Sequence, residues 1–386
     1  MSLISNSSGM NEGKDVGMQR IRQIELGLMF VLFNFSTAAG FLIGPLTSTA
    51  GYQGWVSIFI AHTGGLLIAC LSIAYVKKRQ NEFLIHYGKE VVGRWINFIM
   101  MVIYAFFFIH LAGIVLRQAT DFLVQIYLPS TPAWVIAGSF GLVIAIAVRS
   151  GIEAIFRCAA GFFFVIFSTA TLVPFLVGKE LDYHRGIALL TNLSLGDLVQ
   201  TSYPFVPWFG EMFLVIFIFP FLANAEKTPR TLLWSSMISL LFFEVYFLLC
   251  ILLFDEALMA HFTYPILEML RFIRIGDFLE NLDPIVVAIW IAGLFIKISI
   301  LLYMAVFISS QLLQLKDSRP LSFSIGAVMV GMSMHSVKNL IELNHFITHA
   351  WVNFAYFIEC SPLIYWAISV VRGRFLSRAQ GGKDAV

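Results

Sequence analysis

Charged side chains are scarce in this sequence. They make up 12% of its 386 residues, whereas a soluble chain carries about 25%. Apolar residues make up 59% and aromatic residues 15%, and long apolar runs recur along most of the chain. Such runs fit the apolar interior of a bilayer. The composition therefore excludes an ordinary soluble protein and predicts an all-α polytopic membrane protein.

Cysteines and catalytic motifs are also scarce. The four cysteines, Cys70, Cys158, Cys250 and Cys360, lie inside or at the edge of apolar runs without the spacing of metal ligands, so we expect neither a disulfide framework nor a metal site. A glycine-rich phosphate loop and a serine nucleophile elbow are missing. We therefore expect no enzyme, no cofactor and no nucleic-acid partner. The polar start of the chain also predicts no cleavable signal peptide.

Ten apolar segments are long enough to cross about 30 Å of hydrocarbon, which takes about 17 residues or more. They are residues 22–48, 52–76, 94–126, 132–149, 152–177, 204–224, 230–254, 283–313, 320–336 and 346–371. We predict one membrane domain over residues 20–372, with polar tails at residues 1–19 and 373–386. Most Lys and Arg residues of the loops fall on the side of the two termini, which predicts that both termini are cytoplasmic.

Ten segments divide into two halves of five, about residues 22–177 and 204–371. An odd number of segments in each half gives the halves opposite topology, as inverted repeats require. The first segment of each half contains residues that interrupt helices: Gly40, Gly44 and Pro45 in one, Pro207, Gly210 and Pro220 in the other. The pattern predicts that helices one and six are broken and that a binding site lies beside the breaks.

Lys297 lies in the middle of the eighth segment. A charged side chain at this depth costs at least about 2.5–3.5 kcal/mol and needs a partner inside the protein. Lys297 is either a cation that faces a substrate or ion pathway, or a lysine that is salt-bridged for assembly or partly snorkels. Glu211, beside the predicted break in segment six, has three possible roles: to pair with Lys297, to contact a substrate amine, or to face an aqueous vestibule.

Other polar residues follow helical spacing. His110, Arg117 and Asp121 share one face of segment three; His110 is either a pathway residue or a buried, hydrogen-bonded histidine, and the other two are spaced to pair. In segment ten a polar face either lines a cavity or packs against protein: His345, His349, Asn353, Tyr356 and Glu359.

Two further patterns concern packing. In segment two, Ala61, Gly65 and Ala69 form a small-residue ridge that predicts close helix packing. In the loop 255–282, the apolar residues Leu267, Leu270 and Ile273 at helical spacing predict a surface helix on the outer leaflet.

Three runs carry a family resemblance: "WFGEMFLV", "FPFLANAEKTPR" and especially "YPILEMLRFIRIGDFLENLDPIVVAIWIAGLFIKISILLY". They resemble the spore germination permeases, the B-type integral subunits of nutrient germinant receptors in spore-forming bacteria. That family is similar to a distant branch of the amino acid/polyamine/organocation transporters. The resemblance covers about residues 20–372.

The resemblance implies a leucine-transporter-type fold of five plus five helices with a mid-membrane site between broken helices one and six. Unwound backbone at 36–41 and the start of the next half-helix would offer N–H groups to a substrate carboxylate, and Lys297 would replace a bound sodium ion. The implied ligand-binding residues are Ser36, Thr37, Ala39, Gly40, Phe41, His110, Glu211, Phe217 and Lys297.

The function implied is that of a sensor with a transporter's fold. It would bind a small nutrient, an amino acid or a sugar, in the spore inner membrane and trigger germination. The implied partners are an A-type membrane subunit and a C-type lipoprotein of the same receptor. Two alternatives stay open: a proton-coupled amino acid permease, and a structural subunit whose pocket is vestigial.

Overall fold

The structure is a computed structural model that describes residues 20–79, 81–194, 196–273 and 283–381, with side chains as far as residue 372. Helices make up nearly all of these residues. They are α1 Gln23–Thr37, α2 Ile43–Ala50, α3 Gly54–Val76, α4 Leu84–Val92, α5 Arg94–Ile126, α6 Ala133–Arg149, α7 Ile152–Val177, α8 Gly186–Thr191, α9 Leu198–Ser202, α10 Val206–Gly210, α11 Val215–Ile218, α12 Thr228–Met259, α13 Pro265–Arg271, α14 Asp283–Leu312, α15 Leu321–His335, α16 Leu340–Thr348 and α17 Ala350–Gly381.

The lengths of these helices fit a bilayer. Within the described ranges, seven helical stretches are long and apolar enough to cross a membrane. The first runs over Gln23–Arg79 and contains the first two predicted segments, while α6 and α15 are shorter apolar helices. A multi-pass helical membrane protein is thus confirmed. The count of ten crossings, the domain limits and the side on which the termini lie stay predictions.

Segment one is irregular at the predicted place but is not unwound. Residues Ala38–Leu42 form a π-helical turn between α1 and α2, so the helix widens there and continues. Such a turn is a local bulge inside an α-helix and is frequent at functional sites. The indole N–H of Trp290 donates a hydrogen bond of 2.6 Å to the carbonyl oxygen of Ser36 at the edge of this turn. The expected unwound backbone at 36–41 is therefore replaced by a widened helix.

Segment six is helical from Leu198 to Phe221 but changes helix type repeatedly. The α-helical turn α10 gives way to 3-10 helix at Glu211–Leu214 and again at Phe219–Phe221. Proline lacks the backbone N–H that donates the hydrogen bond in a regular α-helix. This stretch contains three prolines: Pro204, Pro207 and Pro220. The change of helix type after Gly210 sets the direction in which Glu211 leaves the backbone.

The two irregular segments are tied together at the end where α1 begins. The N–H of Ile21 donates to the carbonyl of Phe221 at 2.8 Å, and the N–H of Ala223 donates to the carbonyl of Ile21 at 3.0 Å. The side chain of Gln23 adds a bond of 2.9 Å to the carbonyl of Asn224. These bonds join the chain before α1 to the end of segment six and the chain after it.

The predicted surface helix is wrong for the residues that the structure describes. Helix α13 covers Pro265–Arg271, and Leu267, Leu270 and Ile273 are buried in the protein core instead of lying on the leaflet. The remainder of that prediction, residues 274–282, lies outside the described residues. The helical spacing of the apolar residues correctly indicated a helix, but their apolar face packs against protein.

Candidate functional site

Lys297 faces the protein interior at mid-length of α14. Its Nζ lies 2.6 Å from Oε2 of Glu211 and donates a hydrogen bond of 2.8 Å to Oγ1 of Thr37. It also lies 4.4 Å from the centroid of the Phe33 ring, within the range of a cation–π contact. The Lys297 and Glu211 side chains are 1% and 2% exposed. One ammonium group therefore joins α1, segment six and α14, as the first of the three roles for Glu211 predicts.

The ion pair is short, and Oε2 of Glu211 contacts no other hydrogen-bond donor among the described residues. Two charges removed from water are balanced mainly by each other. Removing one partner of such a pair costs much stability, because the other charge stays buried and unpaired. Each partner can instead pair with another group of opposite charge that has the right geometry. The arrangement is thus chemically suited to accept one anionic and one cationic group.

The cavity beside the pair is closed in this conformation. Its volume is about 10 Å³, which holds about one water molecule. Its walls come from α1, α5, segment six and the start of the last helices: Thr37, Leu111, Ile114, Val115, Gln118, Trp208, Glu211, Lys297, Ile347 and Trp351. A molecule larger than water can enter only if these walls move apart.

A row of cavities leads from the ion pair to one face of the protein. The next cavity, also about 10 Å³, shares Gln118, Trp208 and Ile347 with the first. It adjoins a vestibule of about 690 Å³, and the two share Pro45, Pro204, Asn344 and Thr348. The two small cavities thus lie between the ion pair and the vestibule, which is at the Pro45 end of segment one, away from the start of α1.

The walls of the vestibule are polar but carry no Asp, Glu, Lys or Arg among the residues that the structure describes there. The polar lining residues are Ser48, Thr49, Gln200, Tyr203, His261, Thr263, Asn344, His345, Thr348, His349 and Asn353. The polar face predicted for segment ten thus lines a cavity over its first part. In this region the rings of His345 and His349 stack, with their centroids 4.3 Å apart.

Four of the residues predicted in segment one lie around Trp290 instead of at the ion pair. Ala39 and Gly40 line a separate cavity of about 50 Å³ together with Trp290, and the Phe41 ring lies 5.4 Å from the indole. Ser36 accepts the indole hydrogen bond through its carbonyl, and its own hydroxyl is buried without a partner among the described residues. Of the predicted set, Thr37, Glu211 and Lys297 are the residues that meet.

His110 and Phe217 are not brought to the ion pair. The His110 ring lies between Phe106 and Phe346, at 5.7 and 5.6 Å, whereas α5 presents Leu111, Ile114 and Gln118 to the site. Adjacent residues of an α-helix point about 100° apart, so a one-residue step separates the two faces.

Phe217 is fully buried in an aromatic cluster, with its ring 4.9 Å from that of Tyr104 and 5.5 Å from that of Phe108. The predicted pair of Arg117 and Asp121 does form, with Nε 2.8 Å from Oδ2.

Several lining residues had no signal in the sequence. Trp208, Trp290, Ile347 and Trp351 are apolar or aromatic in a chain rich in such residues, so their composition does not distinguish them from lipid-facing residues. Gln118 is the exception, since an amide inside an apolar run needs a polar partner or a cavity. It lies buried beside both small cavities, and its polarity was the available clue.

Gly40→Ala tests the contact between segment one and α14. A Cβ at this position would lie 2.1 Å from Cζ2 of Trp290, so the indole must shift and loses its bond to Ser36. We expect a loss of about 1–3 kcal/mol in stability from overpacking, measured as a lower melting temperature of the purified protein. Gly138→Ala is the control, because no atom of the described residues would lie within 4 Å of the new Cβ. Equal melting temperatures for both variants would contradict the contact.

Comparison with known sequences gives one family. The sequence profile of a family described as "Spore germination protein" matches residues 20–341. Spore germination protein KB of Bacillus subtilis (strain 168) is 26% identical over 327 residues, which is 84% of this chain and 87% of that protein. Spore germination protein YndE of the same organism is 25% identical over 314 residues, 78% of this chain and 83% of that protein.

Comparison with solved structures gives the fold. A Na⁺-coupled sialic acid symporter, solved in a substrate-bound outward-open state, superposes with a TM-score of 0.63 at 13% identity, over 89% of this chain and 78% of that chain. MhsT in complex with L-phenylalanine superposes with a TM-score of 0.57 at 10% identity, over 89% and 98%. Both have the leucine-transporter fold, and at these identities the likeness shows the fold alone.

Proposed function

This chain belongs to the family of spore germination proteins, and on that premise we propose that it senses a small nutrient at the Lys297–Glu211 pair and thereby triggers germination. The family has a transporter-like fold and is not a family of enzymes. The proposed setting is a nutrient germinant receptor in the spore inner membrane. There the chain acts as the B-type subunit, beside an A-type membrane subunit and a C-type lipoprotein, with both termini in the cytoplasm.

The observation that carries this proposal is the buried ion pair at the end of a row of cavities. A free amino acid brings one ammonium and one carboxylate group. Inserted between the partners, it gives Glu211 a cation and Lys297 an anion, so one ion pair becomes two and no charge stays unpaired. A neutral sugar leaves the original pair in place and gains only hydrogen bonds. The pair therefore favours a zwitterionic amino acid over a sugar as the nutrient.

Ligand entry gives a physical basis for signalling. The closed cavity must expand, which moves α1 and segment six relative to α14, since these elements meet at Lys297. Segments one and six are also hydrogen-bonded to each other where α1 begins, through Ile21 and Phe221. A ligand that separates them at the centre alters this junction, and the partner subunits sense that change.

Binding to the purified protein tests this proposal. The full chain is reconstituted in lipid nanodiscs and mixed with tritiated L-amino acids, one at a time, and with tritiated glucose. We expect saturable binding of at least one amino acid, none of glucose, and at least about a tenfold loss of affinity in Glu211→Gln, because the amine loses a charged partner worth more than 1.4 kcal/mol. Glu153→Gln, in an exposed pair with Arg157, is the control. Binding of glucose but of no amino acid would contradict the zwitterion assignment.

The second candidate is a proton-coupled amino acid permease, which the transporter fold supports. The two functions differ in flux. In proteoliposomes a permease accumulates the labelled amino acid when a proton gradient is imposed, whereas a sensor binds it with little net uptake. Accumulation that follows the gradient would favour the permease over the sensor.

A further inference from the structure

Glu359 is a second buried carboxyl group next to the ion pair. It lies on α17, is 0% exposed, and neither of its oxygens has a hydrogen-bond partner among the described residues. Its Oε2 packs on the backbone of segment six, because a Cβ built on Gly210 would lie 2.0 Å from it. The carboxyl group therefore points at the turn that carries Glu211.

Among the described residues, the ionisable groups around Glu359 supply one positive charge, that of Lys297. Across the interface Glu211 and Lys297 are close enough to interact with it electrostatically, and on its own helix Cys360 and Tyr356 are its neighbours. From α3, His62 packs against Phe209, one residue before Gly210. Its ring is buried, neither nitrogen has a partner in the described part of the chain, and such a site favours the neutral imidazole. The ammonium group of Lys297 already pairs with Glu211, with Nζ 2.6 Å from Oε2. Two carboxyl groups thus share one cation.

An ionised carboxylate without a donor or cation of its own is very unfavourable in such a site, and a buried acid in this position becomes neutral by taking up a proton. We propose that Glu359 is a proton-binding site, which holds one exchangeable proton while the central cavity is closed and releases it when the cavity opens. With the proton in place, Lys297 and Glu211 cancel and the whole cluster is neutral.

Opening reverses this balance. Water that enters from the vestibule hydrates Glu359, and a carboxyl group in water is ionised at neutral pH. The proton leaves to water, and the carboxylate that forms interacts with Lys297. Opening then releases one proton, so raising the pH by one unit shifts the equilibrium toward the open form by up to about tenfold. This regulatory role rests on the proposed function, whereas the bound proton does not.

Infrared spectroscopy of the purified full chain in lipid tests the proton directly. At neutral pH the wild type is expected to show the C=O stretch of a protonated carboxylic acid, reduced in Glu359→Gln and lost on titration to high pH. Glu244→Gln, which changes another carboxyl group within a membrane helix, leaves the Glu359 component in place. A wild-type spectrum without a protonated-acid band, or one unchanged by Glu359→Gln, would overturn the proposal.

A second variant covers the case in which Glu359→Gln fails to fold. Glu359→Asp keeps the acid, and we expect it to move the band instead of removing it; an unmoved band overturns the assignment.

In spores, Glu359→Gln mimics the neutral acid, and we expect it to retain a nutrient response whose pH dependence is flattened relative to the wild type. An unchanged pH profile overturns the regulatory role. Spores without this chain that germinate normally would refute the proposed function and leave the infrared result standing.

Discussion

Lys297→Met is expected to lower stability by about 3–5 kcal/mol, because it leaves the Glu211 carboxylate buried without its cation. The Thr37 hydroxyl also loses its donor, and the nutrient response is expected to disappear. The loss appears as a lower melting temperature of the purified protein and as less protein on immunoblots of the inner membrane. Arg157→Met is the control, because its exposed pair with Glu153 contributes about 0–1 kcal/mol.

The double variant Lys297→Met/Glu211→Met separates the two roles of the pair. Replacement of a buried pair by apolar side chains of similar volume is often neutral or stabilising, so we expect protein level and melting temperature to recover. The response should stay lost, because the zwitterion has no partners. A double variant that responds to nutrients would mean that Lys297 serves assembly alone. One that is as unstable as Lys297→Met would mean that the two charges do not depend on each other.

The sequence was sufficient for the bounds of some of the membrane helices. Helix α5 begins and ends at the predicted residues 94 and 126, and α7 matches residues 152–177. Lipid imposes this agreement, because a backbone in hydrocarbon must satisfy its own hydrogen bonds and a crossing needs a minimum apolar length. The need for a partner at Lys297 follows from the same physics, since a lone charge at that depth is too costly.

The choice of partner could not be predicted in the same way. Glu211 had three roles consistent with the sequence, and the decision depends on how α1, segment six and α14 pack. His110 shows the limit clearly: hydropathy places it at the right depth, but a one-residue step on α5 turns it toward Phe106 and Phe346. The π-helical turn at Ala38–Leu42 is a similar case. Glycine marks an irregular position without deciding between a widened turn and an unwound one.

Gly65 packs closely against the backbone beside the site. A Cβ on this residue of α3 would lie 2.5 Å from the backbone nitrogen of Gly210 and 2.7 Å from the carbonyl carbon of Phe209. Backbone atoms cannot rotate away as a flexible side chain does, so the whole of α10 must shift. The small-residue ridge predicted for segment two is therefore used to bring α3 against segment six.

Gly65→Ala is expected to cost about 3 kcal/mol, at the upper end of overpacking effects, although Ala by itself favours a helix over Gly by about 1 kcal/mol. Glu211 directly follows Gly210, so the shift also moves its carboxylate away from Lys297. Nutrient binding should therefore fall together with stability. Gly161→Ala on α7 is the control, because its new Cβ would have no atom of the described residues within 4 Å. It shows the helix-propensity effect alone and should raise the melting temperature slightly. If Gly65→Ala melts at or above the wild-type temperature, α3 and α10 do not approach this closely, and the position of Glu211 requires another explanation.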